Sequence, residues 1–131
     1  MSDTPTPTRI TAVHTVSVPT TDQDRALEFY VGVLGFETRL DVPFGDGQRW
    51  IEVAPEGAST TVALAPAHGG VPTGVDTGIR LASADVDADH RALRARGIDV
   101  DQEILRLGAG VPPMFTFRDA DGNNLFVVEV S

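Results

Sequence analysis

The chain has 131 residues, a length that suits a single domain. Ten basic side chains against nineteen acidic ones give a net charge of −9, which disfavours binding to nucleic acid or to an anionic membrane surface. Cysteine is absent, so disulfides, thiolate nucleophiles and thiolate metal ligands are excluded. No apolar run has the length of a signal-peptide core or a membrane span, and we therefore expect a cytoplasmic protein.

The first half of the chain predicts a strand, a helix and three more strands. Residues 1–8 (MSDTPTPT) are expected to form a disordered tail, because prolines among small polar residues bury nothing. A helix that ends near Leu34 is predicted to take its N-cap from Thr20, Thr21 or Asp22, and Gly35 suits the left-handed position after the last turn. Alternating and β-branched residues predict strands over 10–18, 37–42, 48–54 and 60–65.

The same order recurs in the second half of the chain. Asp22 and Asp85 lie 63 residues apart, and Gly35 and Gly97 lie 62 apart, so a second helix is predicted from Asp85 to about Arg96. The sequence thus predicts one α+β domain over 9–131, made of two βαβββ modules (about 9–66 and 78–131) joined by loop 67–77. The strands predicted in the second module are 78–83, 98–105, 113–118 and 124–130.

Four segments resemble one known family. They are VPTTDQDRALEFYVGVLGFE (18–37), RWIEVAP (49–55), DVDADHRALRARGIDV (85–100) and FRDADGN (117–123). Over 10–130 the chain is similar to the vicinal oxygen chelate superfamily, which contains glyoxalase I, the bleomycin-resistance proteins and the extradiol dioxygenases. The resemblance implies that each module curls into half of an open barrel around a small-molecule cavity, and that two chains pair as a homodimer.

The resemblance also implies where a divalent metal would bind. Metal-dependent members carry one ligand, usually His, Gln or Glu, on the first and on the last strand of each module. The matching positions here fall on Thr15, Gly78 and Phe126, and strand 60–65 has no carboxylate. We therefore expect neither a metal nor another cofactor. If the strand register differs from this one, the metal ligands would be His14, Glu52 and Glu129.

The other histidines and the acidic turn do not strengthen the metal prediction. His14 is one residue from Thr15 and is expected to face the helix, because a one-residue step on a strand reverses the side chain. His68 falls in the loop, and His90 is expected on the solvated face of the second helix. The segment 119–123 (DADGN) imitates the start of a calcium loop but is predicted to be a β-turn.

Strand alternation selects the side chains that face the cavity. Ile51 and Val53 are expected to meet a helix, and Trp50 and Glu52 to face the cavity, where Glu52 and Arg80 pair with each other or each hold a polar ligand. The alternative is that the aromatic residues fill the barrel and Glu52 lies at a wet rim. The predicted ligand-binding residues are Thr15, Ser17, Phe44, Trp50, Glu52, Arg80, Met114, Phe115 and Phe126.

Three functions are compatible with these residues. The leading interpretation is a metal-free homodimer that sequesters a small, partly aromatic molecule, in the manner of a resistance protein. The first alternative is a metal-dependent lyase, isomerase or dioxygenase of the glyoxalase type. The second is metal-free acid/base catalysis by Glu52, the best catalytic candidate, which predicts that burial raises the pKa of Glu52.

Overall fold

The computed structural model of the protein describes residues 4–67 and 72–130, so His68 lies outside the described residues. Within these described residues, no helix has the length and apolar character needed to cross a membrane. The elements in chain order are β1 (Thr15–Thr20), α1 (Gln23–Leu27), a π-helical segment (Glu28–Val33), β2 (Glu37–Pro43), β3 (Arg49–Ala54), β4 (Thr61–Pro66), β5 (Asp76–Ser83), α2 (Val86–Ala95), β6 (Met114–Arg118) and β7 (Asn124–Glu129).

Two sheets, one of four strands and one of three, confirm the predicted α+β fold. The first sheet has the order β1-β4-β3-β2 and the second the order β5-β7-β6. In each sheet the first strand pairs in parallel with the last strand of its module, and the remaining pairs are antiparallel. The sheets are curved and open, and they are not hydrogen-bonded into one closed barrel.

Two predicted strands differ from the structure. The first begins at Thr15 rather than at residue 10, because Thr15 pairs with Thr61 and β4 offers no earlier partner. Residues 4–13 are exposed and belong to no strand. The segment 98–105 makes only two isolated bridges, Val100 to Phe117 and Leu105 to Met114. Its centre is Asp-Gln-Glu, and acidic side chains are depleted in strands.

Both helix starts and both helix ends are where the sequence predicted them. The Asp22 carboxylate accepts a hydrogen bond from Arg25 N at 3.1 Å, and the Asp85 carboxylate accepts one from Ala88 N at 3.0 Å. Gly35 and Gly97 end the helices with φ of 78° and 74°. The second half of the first helix is π-helical, since Leu34 N donates to Phe29 O at 3.1 Å.

One hydrophobic core lies between the two sheets, and both helical regions contribute to it. The rings of Phe29, from the π-helical segment, and Phe117, from β6, stack with centroids 6.2 Å apart. The core side chains of the sheets are Val18, Ile51, Val53, Val62 and Leu64 from the first and Phe115, Phe117, Leu125 and Val127 from the second. The other face of each sheet therefore points away from this core.

Candidate functional site

The free face of the first sheet carries the residues that alternate with the core positions. Ile51 and Val53 are buried in the core, 1% and 0% exposed, which confirms the predicted strand phase of β3. Trp50 and Glu52 therefore lie on the opposite face, where their cross-strand neighbours are Val42 and Leu40 of β2. We define the first free face as Thr15, Leu40, Val42, Trp50, Glu52 and Thr61.

Glu52 is the centre of a hydrogen-bond network on this face. Only 6% of the residue is exposed. Trp50 Nε1 donates to Glu52 Oε2 at 2.7 Å, and Thr61 Oγ1 donates to Oε1 at 2.8 Å. These donors, led by the Trp50 N–H, lower the pKa of Glu52 despite its burial. Glu52 is thus a stable carboxylate at neutral pH, and the raised pKa predicted for acid/base catalysis is wrong.

Two side chains extend the network around Glu52. Thr15 Oγ1 lies 2.8 Å from Thr61 Oγ1 and donates to Thr61 O at 3.2 Å, so Thr15 joins the free face as predicted. His14 Nε2 lies 3.7 Å from Glu52 Oε1, with 78% of its side chain exposed. The expectation that His14 faces the helix is wrong, because the residue precedes β1 and strand alternation does not apply to it.

An aromatic pair borders the carboxylate. The Phe44 ring lies edge-on to the Trp50 ring with centroids 5.9 Å apart. Phe44 is 54% exposed and Trp50 is half-buried, so both rings have surface left for another molecule. The indole N–H bond to Glu52 fixes the Trp50 ring beside the charge.

Arg80 and Phe126 lie on the free face of the second sheet as cross-strand neighbours. The Arg80 guanidinium sits 4.7 Å from the centroid of the Phe126 ring, and Nη1 donates to Gly78 O at 3.1 Å. Arg80 therefore does not pair with Glu52. The hypothesis of a Glu52–Arg80 ion pair is wrong, because the Arg80 guanidinium is held against the Phe126 ring and the ion-pair contact of Glu52 is with His14.

A cleft of about 460 Å³ crosses the second sheet beside the segment 101–106. Met114 and Phe126 line it from the free face, whereas Phe115 is 2% exposed and packs into the core, 5.0 Å from the His90 ring. Phe115 reaches only the border of this cleft, because neighbours on a strand point to opposite faces. His90 is buried, not solvated, and its Nε2 lies 2.7 Å from Asp101 O.

Ser17 lies on the same face of β1 as Thr15, because it alternates with the core residue Val18. It is exposed and lines a crevice of about 590 Å³ between β1 and β5, which Arg80 also reaches. Predicted ligand residues therefore fall into three places: the first free face, the second free face and this crevice.

The residues at the family's metal positions do not fit a divalent ion. They offer one hydroxyl, from Thr15, since Gly78 and Phe126 have no donor, and β4 (TVALAP) has neither a carboxylate nor an imidazole. The alternative set of His14, Glu52 and Glu129 is not assembled. Glu129 Oε1 instead accepts from Val86 N at 3.1 Å, at the start of α2 beside Asp85 and Asp87.

The acidic turn 119–123 has a structural role that the sequence analysis missed. It is a β-turn, as predicted, with Gly122 N donating to Asp119 O at 3.0 Å. The Asp119 carboxylate also accepts from Tyr30 Oη at 2.7 Å, and Asn123 Nδ2 donates to Pro19 O at 2.9 Å. The turn thus joins the second module to the first. Asn123 is fully buried, 0% exposed, and this burial, which marks the structural role of the turn, cannot be seen in the sequence.

Comparison with known proteins identifies the family of the chain. The sequence model of the glyoxalase/bleomycin resistance protein/dioxygenase superfamily matches residues 12–127. The solved structure of TnmS3, an antibiotic binding protein from Streptomyces sp. CB03234, is 36% identical and has a TM-score of 0.80, with 95% of this chain and 99% of that chain covered.

Two further relatives have similar coverage. A superfamily member from Sphaerobacter thermophilus DSM 20745 is 35% identical with a TM-score of 0.85, over 92% of this chain and 98% of that chain. The uncharacterized protein YetH of Bacillus subtilis (strain 168) is 28% identical over 121 residues, 92% of this chain and 99% of YetH. The chain therefore belongs to the glyoxalase/bleomycin resistance protein/dioxygenase superfamily, as its sequence resemblance predicted.

Proposed function

We propose that this protein binds a small, partly aromatic organic molecule on its first free face, without a metal ion. The observation that carries the proposal is the aromatic pair Phe44–Trp50 beside the ionised, hydrogen-bonded Glu52. Exposed aromatic surface next to a few fixed polar groups is typical of ligand sites. The similarity to the antibiotic binding protein TnmS3 supports a sequestering role of the resistance type.

The metal-free part of the proposal is supported by the donor set. A divalent ion requires about three or four protein ligands in fixed geometry. The family positions supply a single hydroxyl, and Glu129 is held at the start of α2. Stoichiometric zinc, nickel or manganese in the purified protein would favour the alternative, a metal-dependent lyase, isomerase or dioxygenase.

The homodimer is part of the same proposal. Leu40 and Val42 are 39% and 41% exposed on one face of β2, which is an edge strand, and Phe44, the residue after that strand, is 54% exposed. Exposed apolar side chains in a row mark an association surface. A second copy covering this row would enclose a ligand that one open sheet leaves half exposed. We also propose a cytoplasmic location, which cell fractionation checks.

Ligand binding is testable through Trp50, which is the single tryptophan of the chain. Titration with a panel of aromatic antibiotics is expected to quench its fluorescence saturably, and calorimetry should give the same dissociation constant. Phe44→Ala should weaken binding about tenfold through lost aromatic contact. Leu107→Ala, at an exposed site outside the first free face, should leave affinity unchanged. Equal affinity in both variants would contradict the placement of the site.

A further inference from the structure

We propose that Glu52 makes the site selective for a planar aromatic cation, an aromatic amine or amidinium, over neutral and anionic molecules of the same shape. This inference rests on the proposed function and adds the chemical class of its ligand. The observation that supports it is the buried carboxylate of Glu52 on the first free face, whose hydrogen-bond donors are uncharged.

Among the residues that the structure describes, the charge of Glu52 has no fixed counterion. A buried ionised group is stable only when it is paired or fully hydrogen-bonded, because leaving water is costly. Trp50 and Thr61 supply two neutral donors, and the lowered pKa of Glu52 keeps the group ionised. The one ion-pair contact within the described residues is with His14, whose side chain is 78% exposed.

Arg49 and Arg80 are committed to other groups. Arg49 Nη1 bonds Asp24 at 2.8 Å, and Arg49 Nε bonds Asp41 at 3.0 Å. Arg80 is stacked on Phe126 at the second free face. The carboxylate oxygens of Glu52 can accept further hydrogen bonds beyond those from Trp50 and Thr61. A ligand cation would therefore supply the charge partner that the described residues lack.

The aromatic neighbours favour the same ligand class. Trp50 is held beside the carboxylate by its own N–H, and Phe44 extends the aromatic surface outward. Aromatic faces attract cations, tryptophan most strongly. A flat cationic ring would thus gain stacking on Phe44–Trp50 and charge pairing with Glu52 in one pose. An anionic ring in that pose would be repelled by the Glu52 carboxylate and by the chain's net charge of −9.

The test compares three probes of similar ring size: proflavine, a cation; acridine, neutral at about pH 8; and anthracene sulfonate, an anion. Calorimetry on the full chain should show proflavine binding about tenfold or more tightly than acridine, and the sulfonate binding more weakly than either. Added salt should reduce the proflavine preference.

Two variants separate the local charge from the overall charge. Glu52→Gln should bring the proflavine-to-acridine ratio close to one. Glu56→Gln makes the same change in net charge at an exposed turn, with no ion pair among the described residues, and should leave the ratio unchanged. Thermal unfolding checks that both variants fold. If E52Q does not fold, the proflavine-to-acridine affinity ratio of the wild type and its salt dependence still test the charge selectivity.

The outcomes distinguish this inference from the proposed function. Acridine and proflavine binding equally to the wild type, with Trp50 quenching, would overturn the charge selectivity and leave aromatic binding intact. A proflavine preference that E56Q and E52Q reduce equally would also overturn it, since net charge would then be the cause. Failure of all three probes to bind would count against both proposals.

Discussion

Tyr30 is the only tyrosine of the chain and is fully buried, 0% exposed, between the two modules. Its hydroxyl donates to Asp119 Oδ2 at 2.7 Å. Burial, and then the neighbouring Asp119 carboxylate, raise the pKa of Tyr30 far above its ordinary value. A buried hydrogen bond to a charged acceptor contributes about 1.5–3 kcal/mol. This residue is therefore a sensitive reporter of the module contact.

The raised pKa of Tyr30 predicts a loss of stability at alkaline pH. The stability from the neutral phenol is fully present below the unfolded pKa of about 10 and is lost as pH rises above it. The chain has no lysine or cysteine to titrate in the same range. Chemical unfolding at several pH values should show the decline, with tyrosinate absorbance appearing only as the protein unfolds.

Tyr30→Phe is the matched variant for this prediction. It should cost about 1–3 kcal/mol of unfolding free energy at neutral pH and should remove most of the decline above about pH 10. A wild-type tyrosine that ionises near pH 10 in the folded protein would contradict the burial of its hydroxyl.

At the scale of the elements, helix α2 begins with a well-formed N-cap, but three acidic side chains lie close together at its start. Asp85 caps the helix through Ala88 N, and Glu129 accepts from Val86 N. Carboxylate oxygens of Asp85, Asp87 and Glu129 lie within 4.8 Å of one another. Negative charge near a helix start is favourable, but like charges at this distance repel. The start of α2 is thus stabilised by hydrogen bonding more than by charge.

Two substitutions at Asp85 separate these contributions. Asp85→Ala removes the cap and should lower the unfolding free energy by about 1 kcal/mol. Asp85→Asn keeps a good cap and removes one of the clustered charges, so its stability should equal or exceed that of the wild type. Urea unfolding measures both. An asparagine variant as unstable as the alanine variant would show that the charge at Asp85 is required.

For the whole molecule, the decisive feature is that both sheets pack on one shared core and each leaves its other face free. Each sheet therefore offers an open surface rather than half of a closed cavity within the chain. The row Leu40, Val42 and Phe44 on the first sheet is the more apolar edge and is where the proposed second copy would bind. Association would then complete the ligand site instead of only adding stability.

The proposed homodimer predicts the effect of one charge in this row. Val42→Glu should halve the mass seen in sedimentation velocity without lowering the melting temperature by more than a few degrees, because Val42 is 41% exposed. Val31→Glu, on the π-helical segment and 38% exposed, should remain dimeric. A wild type that sediments as a monomer at all concentrations would contradict the dimer.

Local chemistry made the elements and the repeat predictable from the sequence. Asp22 and Asp85 are good caps, and Gly35 and Gly97 accept positive φ, so both helices could be placed closely. Alternation in β3 was also enough to place Trp50 and Glu52 on one face. These features depend on residues that are close together in the sequence, so local sequence patterns predict them.

Tertiary structure decided which faces and charges meet. Glu52 and Arg80 both face away from the core, as predicted, but tertiary packing pairs Glu52 with His14 and stacks Arg80 on Phe126. His14 reaches Glu52 because β1 starts only where β4 supplies a partner. The low pKa of Glu52 arises from Trp50 and from Thr61 on another strand. Such effects depend on distances between remote segments, and local sequence patterns do not encode those distances.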